Sequence, residues 1–193
     1  MKRKKKPKGR EQVMDALIKA AAELISKRGF AAVSVREIAA RADVNHGLVH
    51  KYFGSKENLI RMSLDRLATA FRETAGKPED FDDALRRSGK ALRRHEEYSR
   101  LLLRVMIDGD ELTNVQSNFD FLDNVIRLVR KEQNMGKMTS QMDARMIVAG
   151  ITALGYGLQL FAPYLLPATK LDKKSREKMI GEIFQSWVSL TKT

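Results

Sequence analysis

The chain has no cysteine among its 193 residues. That excludes disulfides, thiolate metal sites and a cysteine nucleophile, and it fits a reducing, cytoplasmic interior. Aromatic residues make up only 7% and prolines number four. No stretch alternates as a strand would, none repeats, and none has the glycine-rich pattern of a phosphate loop. Acidic residues are missing from positions 1–10, MKRKKKPKGR, and every kind of charge is missing from 146–169. The first absence leaves seven positive charges, out of a net +12, on one short arm that includes Lys4, Lys5 and Lys6. No apolar stretch follows the arm, so it does not read as a signal peptide. It suits a polyanion such as a phosphate backbone, and a solvated tail is the plainer alternative.

What is present is helical periodicity. The chain is expected to be all-α: an N-terminal three-helix helix-turn-helix unit joined by a long helix to an α-helical C-terminal part, which the family resemblance given below implies to be a ligand-binding and dimerisation domain. The expected segments are a basic arm over 1–10, a DNA-binding domain over 11–56 and a regulatory part over 57–193. The first helix spans 11–28, with Val13, Leu17, Ala20, Ala21, Leu24 and Ile25 inward and Gly29 as its stop. Ser34 and Glu37 then form a Ser-x-x-Glu capping box. Val35, Ile38, Ala39 and Ala42 give that short helix one apolar face. After a turn at 42–44, Asn45 caps a second short helix. Leu48, Val49, Tyr52 and Phe53 are its buried side and Gly54 its end.

The outer face of this second helix carries Asn45, His46, Gly47, His50 and Lys51, with no carboxylate. A polar, non-acidic face on the second of two short helices matches a DNA-reading helix-turn-helix. A surface αα-hairpin is the competing reading of the same pattern.

Residues 13–60 resemble the DNA-binding domain of the tetracycline-repressor (TetR) family. The resemblance rests on Ala20-Ala21, Leu24, Gly29-Phe30, Val33, Val35, Ile38-Ala39, Ala42, Val44, Gly47, Val49, Phe53, Lys56-Glu57 and Leu59. Three positions depart from the family pattern. His50 stands where Tyr is usual, Tyr52 where His is common, and Asp43 where Gly is frequent. The resemblance implies a double-stranded DNA operator, a homodimer formed through the two C-terminal helices, and release by a small molecule bound to the C-terminal domain. It also implies that the helix after Ser55 transmits the change.

The residues assign themselves to roles by chemistry. Asn45, His46 and Lys51 are candidates for base edges or nearby phosphates, and Gly47 for close backbone approach. Ser34, Arg36, His50, Tyr52 and Lys56 are candidates for phosphates, Ser34 and Lys56 because they stand at helix starts. The arm adds sequence-independent affinity.

Beyond the head, helices are expected over 56–74, 79–94, 96–107, 115–133, 141–160 (ending near Pro163) and 173–190. The last carries Met179, Ile183, Trp187 and Leu190 as its apolar positions. The uncharged segment 146–169 is long enough to cross a bilayer. Its glycines, Thr152, Gln159 and two prolines favour a helix buried on most sides, with no membrane partner. Small residues at 149, 150, 153 and 157 would let another helix come close.

An unidentified apolar effector would need a pocket. Tyr98, Leu102, Met106, Phe119, Leu122, Ile126 and Tyr156 are candidates by spacing, and core residues are the alternative. His46 and His50 have an i,i+4 zinc spacing, but Gly47 stands where a hydrolytic site needs Glu and no third ligand is evident, so no metal is expected. Adjacent acids at 82–83 and 96–97 point apart on a helix, His95 reads as a surface residue, and the acidic run 108–111 reads as solvated. Nothing calls for catalysis or a cofactor. A basic architectural DNA-binding protein without ligand control is the second reading.

Overall fold

The computed structural model describes residues 6–108, 119–170, 181–183 and 185–192. Eight helices follow one another: α1 (Arg10–Arg28), α2 (Val35–Arg41), α3 (Gly47–Phe53), α4 (Lys56–Ala75), α5 (Phe81–Arg94), α6 (Glu96–Asp108), α7 (Asp120–Asn134) and α8 (Ala144–Ala168). Residues 181–183 and 185–189 are also helical. Among the described residues there is no strand, only one isolated bridge between Met138 and Lys192. The all-α expectation is met.

The chain divides into two compact units. The first comprises Met1–Thr74 with Lys90–Asn118, so the unit that carries the helix-turn-helix reaches beyond residue 56 and takes in α4 and α6. Its core joins Leu17 and Ile25 of α1, Ile38 of α2, Val49 of α3, Leu59, Ile60 and Leu64 of α4, and Leu101 and Val105 of α6. Each fully buried Leu or Ile contributes about 1.5–3 kcal/mol over an exposed one. Ala20, Ala21 and Ala22 are buried on α1, where small side chains allow close helix packing. Gly29, at φ 87°, ends α1 in the left-handed region that other residues avoid.

The second unit comprises Ala75–Gly89 with Phe119–Thr193. Phe81 is fully buried among Val125, Val129, Met138, Ile147, Val148, Ile151 and Val188. α5 begins at Phe81 rather than 79, because the Asp80 carboxylate accepts from Asp83 N at 2.7 Å and so caps it. Gly150 lets Trp187 lie against the α8 backbone: a Cβ there would come within 2.8 Å of the indole.

Several expectations are corrected. α8 runs past Pro163 and Pro167 to Ala168 instead of stopping near 160. Each proline removes one helical hydrogen bond and crowds the carbonyl four residues back, yet the helix continues through both, and both are exposed. Nor is α8 buried on most sides. Ala144, Ile147, Val148, Ile151 and Leu158 face inward, while Met146 (64% exposed), Leu160, Phe161 and Tyr164 (71%) form an open apolar side. By length and composition the window Ala144–Phe161 could cross a membrane, but its inner face is part of a protein core.

Leu190 is 80% exposed, while Val188 and Thr191 are buried. The helix has ended there, and the Thr191 carbonyl turns to accept from Thr139 N at 2.8 Å. Met179 lies outside the described residues, as do 115–118 of the expected seventh helix. His95 is half-buried, not a surface residue, with Nε2 2.7 Å from Thr74 Oγ1. Asp108 as a whole residue is exposed, but its carboxylate accepts from Phe30 N at 3.1 Å and from Arg104 Nε at 2.8 Å; residues 109–111 of the acidic run lie outside the described residues.

Candidate DNA-binding face

The geometry starts at Ser34. Its hydroxyl accepts from Glu37 N at 3.2 Å, while Glu37 Oε2 accepts from Ser34 N at 2.8 Å. Both halves of the capping box are present. Arg28 Nη1 donates to the other carboxylate oxygen at 2.7 Å. These donors, the Ser34 backbone N–H first and Arg28 next, hold the Glu37 carboxyl at about 2, down from 4.5. The box starts α2 at Val35, and Ile38 and Ala39 anchor it in the core.

The turn between α2 and α3 is closed by Asp43 N on Ala40 O at 3.1 Å and Val44 N on Ala39 O at 3.0 Å. Asp43 has φ 56°, in the left-handed region. Asp tolerates that conformation better than most residues, which accounts for an Asp at a turn position that favours Gly.

The side-chain oxygen of Asn45, one residue ahead of His46, accepts from Gly47 N at 2.8 Å; His46 itself precedes α3 and makes no side-chain cap of its own. A Cβ on Gly47 would stand 3.2 Å from that oxygen, so the glycine also leaves room for this bond. Val49 and Phe53 are buried. Asn45, His46, Gly47, His50 and Lys51 are all exposed, so the structure brings the five outer-face residues onto one open surface. His50 Nδ1 lies 3.2 Å from Gly54 O, which fixes the ring against the helix end.

The expected phosphate ligands are less uniform. Ser34 and Arg36 are exposed. Tyr52 is half-buried, its ring flanked by the Arg10 guanidinium at 5.9 Å and the Lys51 ammonium at 5.8 Å. Lys56 is half-buried. Its Nζ donates to Phe30 O at 2.6 Å and sits 3.9 Å from the Phe30 ring centroid. Burial lowers the Lys56 pKa from its ordinary value. Lys6 is exposed, whereas Lys4 and Lys5 lie outside the described residues. Arg10, in sequence only one more charge of the arm, is the neighbour that sequence reasoning missed. Its distance of 42 positions from Tyr52 leaves no local signal.

Three acids near this face are held in ion pairs. Glu23 pairs with Lys27 and Arg41, Glu37 with Arg28, and Asp15 with Arg66. Among the described residues Arg36 and Lys51 make no ion pair, so their charge is left for an outside anion. A groove of about 490 Å³ opens between α1 and α4, lined by Glu11, Met14, Asp15, Ile18, Met62 and Arg66.

The effector candidates fall in both units. Tyr98 is buried in the first, its ring 5.6 Å from that of Phe71; Leu102 is half-buried beside the same core, and Met106 is 70% exposed. In the second unit Leu122 and Ile126 pack on the core, Tyr156 is half-buried and Phe119 is 51% exposed.

Known proteins share both the motif and the fold. Residues 17–61 match the family model described as bacterial regulatory proteins, tetR family. The chain is 37% identical over 179 residues to the HTH-type transcriptional repressor Rv3405c of Mycobacterium tuberculosis, covering 92% of this chain and 88% of that one. It is 28% identical to the A-factor receptor protein of Streptomyces griseus, across 91% of this chain and 61% of the relative. A TetR-like transcriptional regulator from Rhodococcus sp. RHA1 shares the fold, with a TM-score of 0.67 at 19% identity over 94% and 98% of the two chains. The chain belongs to the TetR family of bacterial regulatory proteins, and is a DNA-binding transcriptional regulator rather than an enzyme.

Proposed function

We propose that this regulator represses transcription by seating a homodimer on a palindromic operator, and that a small apolar molecule releases it. One observation carries the DNA part: the exposed, acid-free surface of Asn45, His46, Gly47, His50 and Lys51 on α3. Asn45, His46 and Lys51 meet base edges in the major groove. The Asn45 amide nitrogen keeps its donors while its oxygen accepts from Gly47 N. Lys51 suits guanine acceptors, and Gly47 lets the helix approach. Ser34, Arg36, His50, Tyr52 and Lys56 hold phosphates. Lys56 uses one N–H on Phe30 O and has two more for an anion. Lys4, Lys5 and Lys6 extend the contact along the minor groove.

Dimerisation is assigned to the open apolar side of α8, with the C-terminal helix beside it. Met146, Leu160, Phe161 and Tyr164 are its large exposed members. Two heads held this way would place their recognition helices about 34–36 Å apart, one duplex turn. The repressor role is supported by the name of the mycobacterial relative, and the effector by that of the Streptomyces receptor. Tyr98, Leu102 and Met106 in the first unit, and separately Phe119, Leu122, Ile126 and Tyr156 in the second, are the two groups proposed as candidates to meet the effector. The site of action is the cytoplasm.

Selection of duplexes from a random pool, followed by sequencing, tests the reading. A short palindrome with half-sites one turn apart is expected. A pool that emerges unenriched refutes it and leaves an architectural protein.

A further inference from the structure

Phe30 lies in the turn between α1 and α2, and both of its peptide groups are held by charged side chains from distant helices. Its N–H donates to Asp108 Oδ2, on the last residue of α6, at 3.1 Å. Its carbonyl accepts from Lys56 Nζ, on the first residue of α4, at 2.6 Å. The Lys56 ammonium also sits 3.9 Å from the Phe30 ring. Arg104, one turn back on α6, donates to the same Asp108 oxygen at 2.8 Å, so the carboxylate is itself fixed. The Asp108 side chain is only 18% exposed. A side chain on Gly29 would run into the Asp108 carboxylate and the Arg104 guanidinium. The glycine there thus serves the approach of α6 as well as the end of α1.

We propose that Asp108 is a positioning residue for DNA binding: through the Phe30 N–H it sets where the α1–α2 turn, and with it the helix-turn-helix, is held against the end of α6. Asp108 touches no DNA. Hydrogen bonds to ionised groups are the stronger and more directional ones, and this one joins residues 78 positions apart. Lys56 opposes it across the same residue, so the turn is gripped from both sides. The inference rests on the DNA-binding reading above.

The test compares Asp108→Ala, Asp108→Asn and the wild type on the selected operator and on random duplex. Asp108→Ala should weaken operator binding by about tenfold, as loss of one charged hydrogen bond can. Random duplex should weaken by less than about threefold, because random binding asks little of head placement. Asp108→Asn keeps an acceptor for Phe30 N–H and should recover most of the loss. Equal loss on both duplexes, or no loss on either, overturns the proposal. Hydrogen exchange at the Phe30 amide is the second readout, and it needs no DNA. It should be protected in the wild type and fast in Asp108→Ala; an unprotected wild-type amide also overturns it. If wild-type protein prefers no duplex, the operator reading fails on its own, and the exchange result still decides the clamp.

Discussion

Replacing Ser34 by Ala removes one half of the α2 capping box. The hydroxyl no longer accepts from Glu37 N, nor donates to Glu37 Oε2 at 2.9 Å. Glu37 keeps Ser34 N and Arg28. α2 has only seven residues, so it cannot form by propensity alone and depends on its cap and its buried face. The expected cost is about 1 kcal/mol, within a range of roughly 0.5–2. For a chain of this size that lowers the melting temperature by about 2–4 °C. Ser34→Gly should cost only a few tenths of a kcal/mol, although it deletes more atoms. Circular dichroism at 222 nm during urea unfolding measures both variants. Cap loss ranks Ala below Gly in stability, whereas impaired packing would rank Gly below Ala. A Gly variant weaker than the Ala variant, or two variants as stable as wild type, refutes the assignment.

The remaining predictions concern charge, DNA and assembly. The Glu37 carboxyl is held at about 2, below its ordinary 4.5. Its contribution is therefore complete above about pH 4.5 and disappears as pH falls toward 2. Glu37→Gln should flatten that acid limb of a stability-against-pH curve, and an unchanged limb contradicts the box. Lys51→Ala should weaken operator binding more than random binding, by anisotropy titration; equal weakening makes Lys51 a phosphate anchor. Removing residues 2–10 should flatten the log–log salt dependence by about 0.9 for each phosphate that the arm neutralises, and an unchanged slope takes the arm out of the complex. Leu160→Glu puts a charge on the open side of α8, where Leu160 is 42% exposed in the single chain. Sedimentation should then find monomers with the folded helix content retained, and persistent dimers place the interface elsewhere.

The head is legible in the sequence because its signals are local. A Ser-x-x-Glu box and glycine stops at 29 and 54 each act within four residues, and the structure has them, with Asn45 bonded to Gly47 N at the entry to α3. The all-α class follows from the same periodicity. Interactions between distant residues are hidden. The bond of Asp108 to Phe30 leaves no local signal across 78 positions, and His95 reads as exposed because Thr74 lies 21 away. The end of α8 is misplaced because proline reads as a stop, although the helix continues through both Pro163 and Pro167. Helical spacing alone does not sort the effector candidates, since it selects a face and does not say which unit that face belongs to. It does not separate buried Val105 from exposed Met106 on α6 either.

Dimethyl sulfate footprinting of the selected operator tests the central claim most directly, because the reagent methylates guanine N7 in the major groove and adenine N3 in the minor groove. With α3 lying in the major groove, guanine N7 protection should appear in two clusters about one duplex turn apart, and Lys51→Ala should remove part of it. Protection confined to adenine N3, or no protection at a duplex the protein binds, would contradict the account.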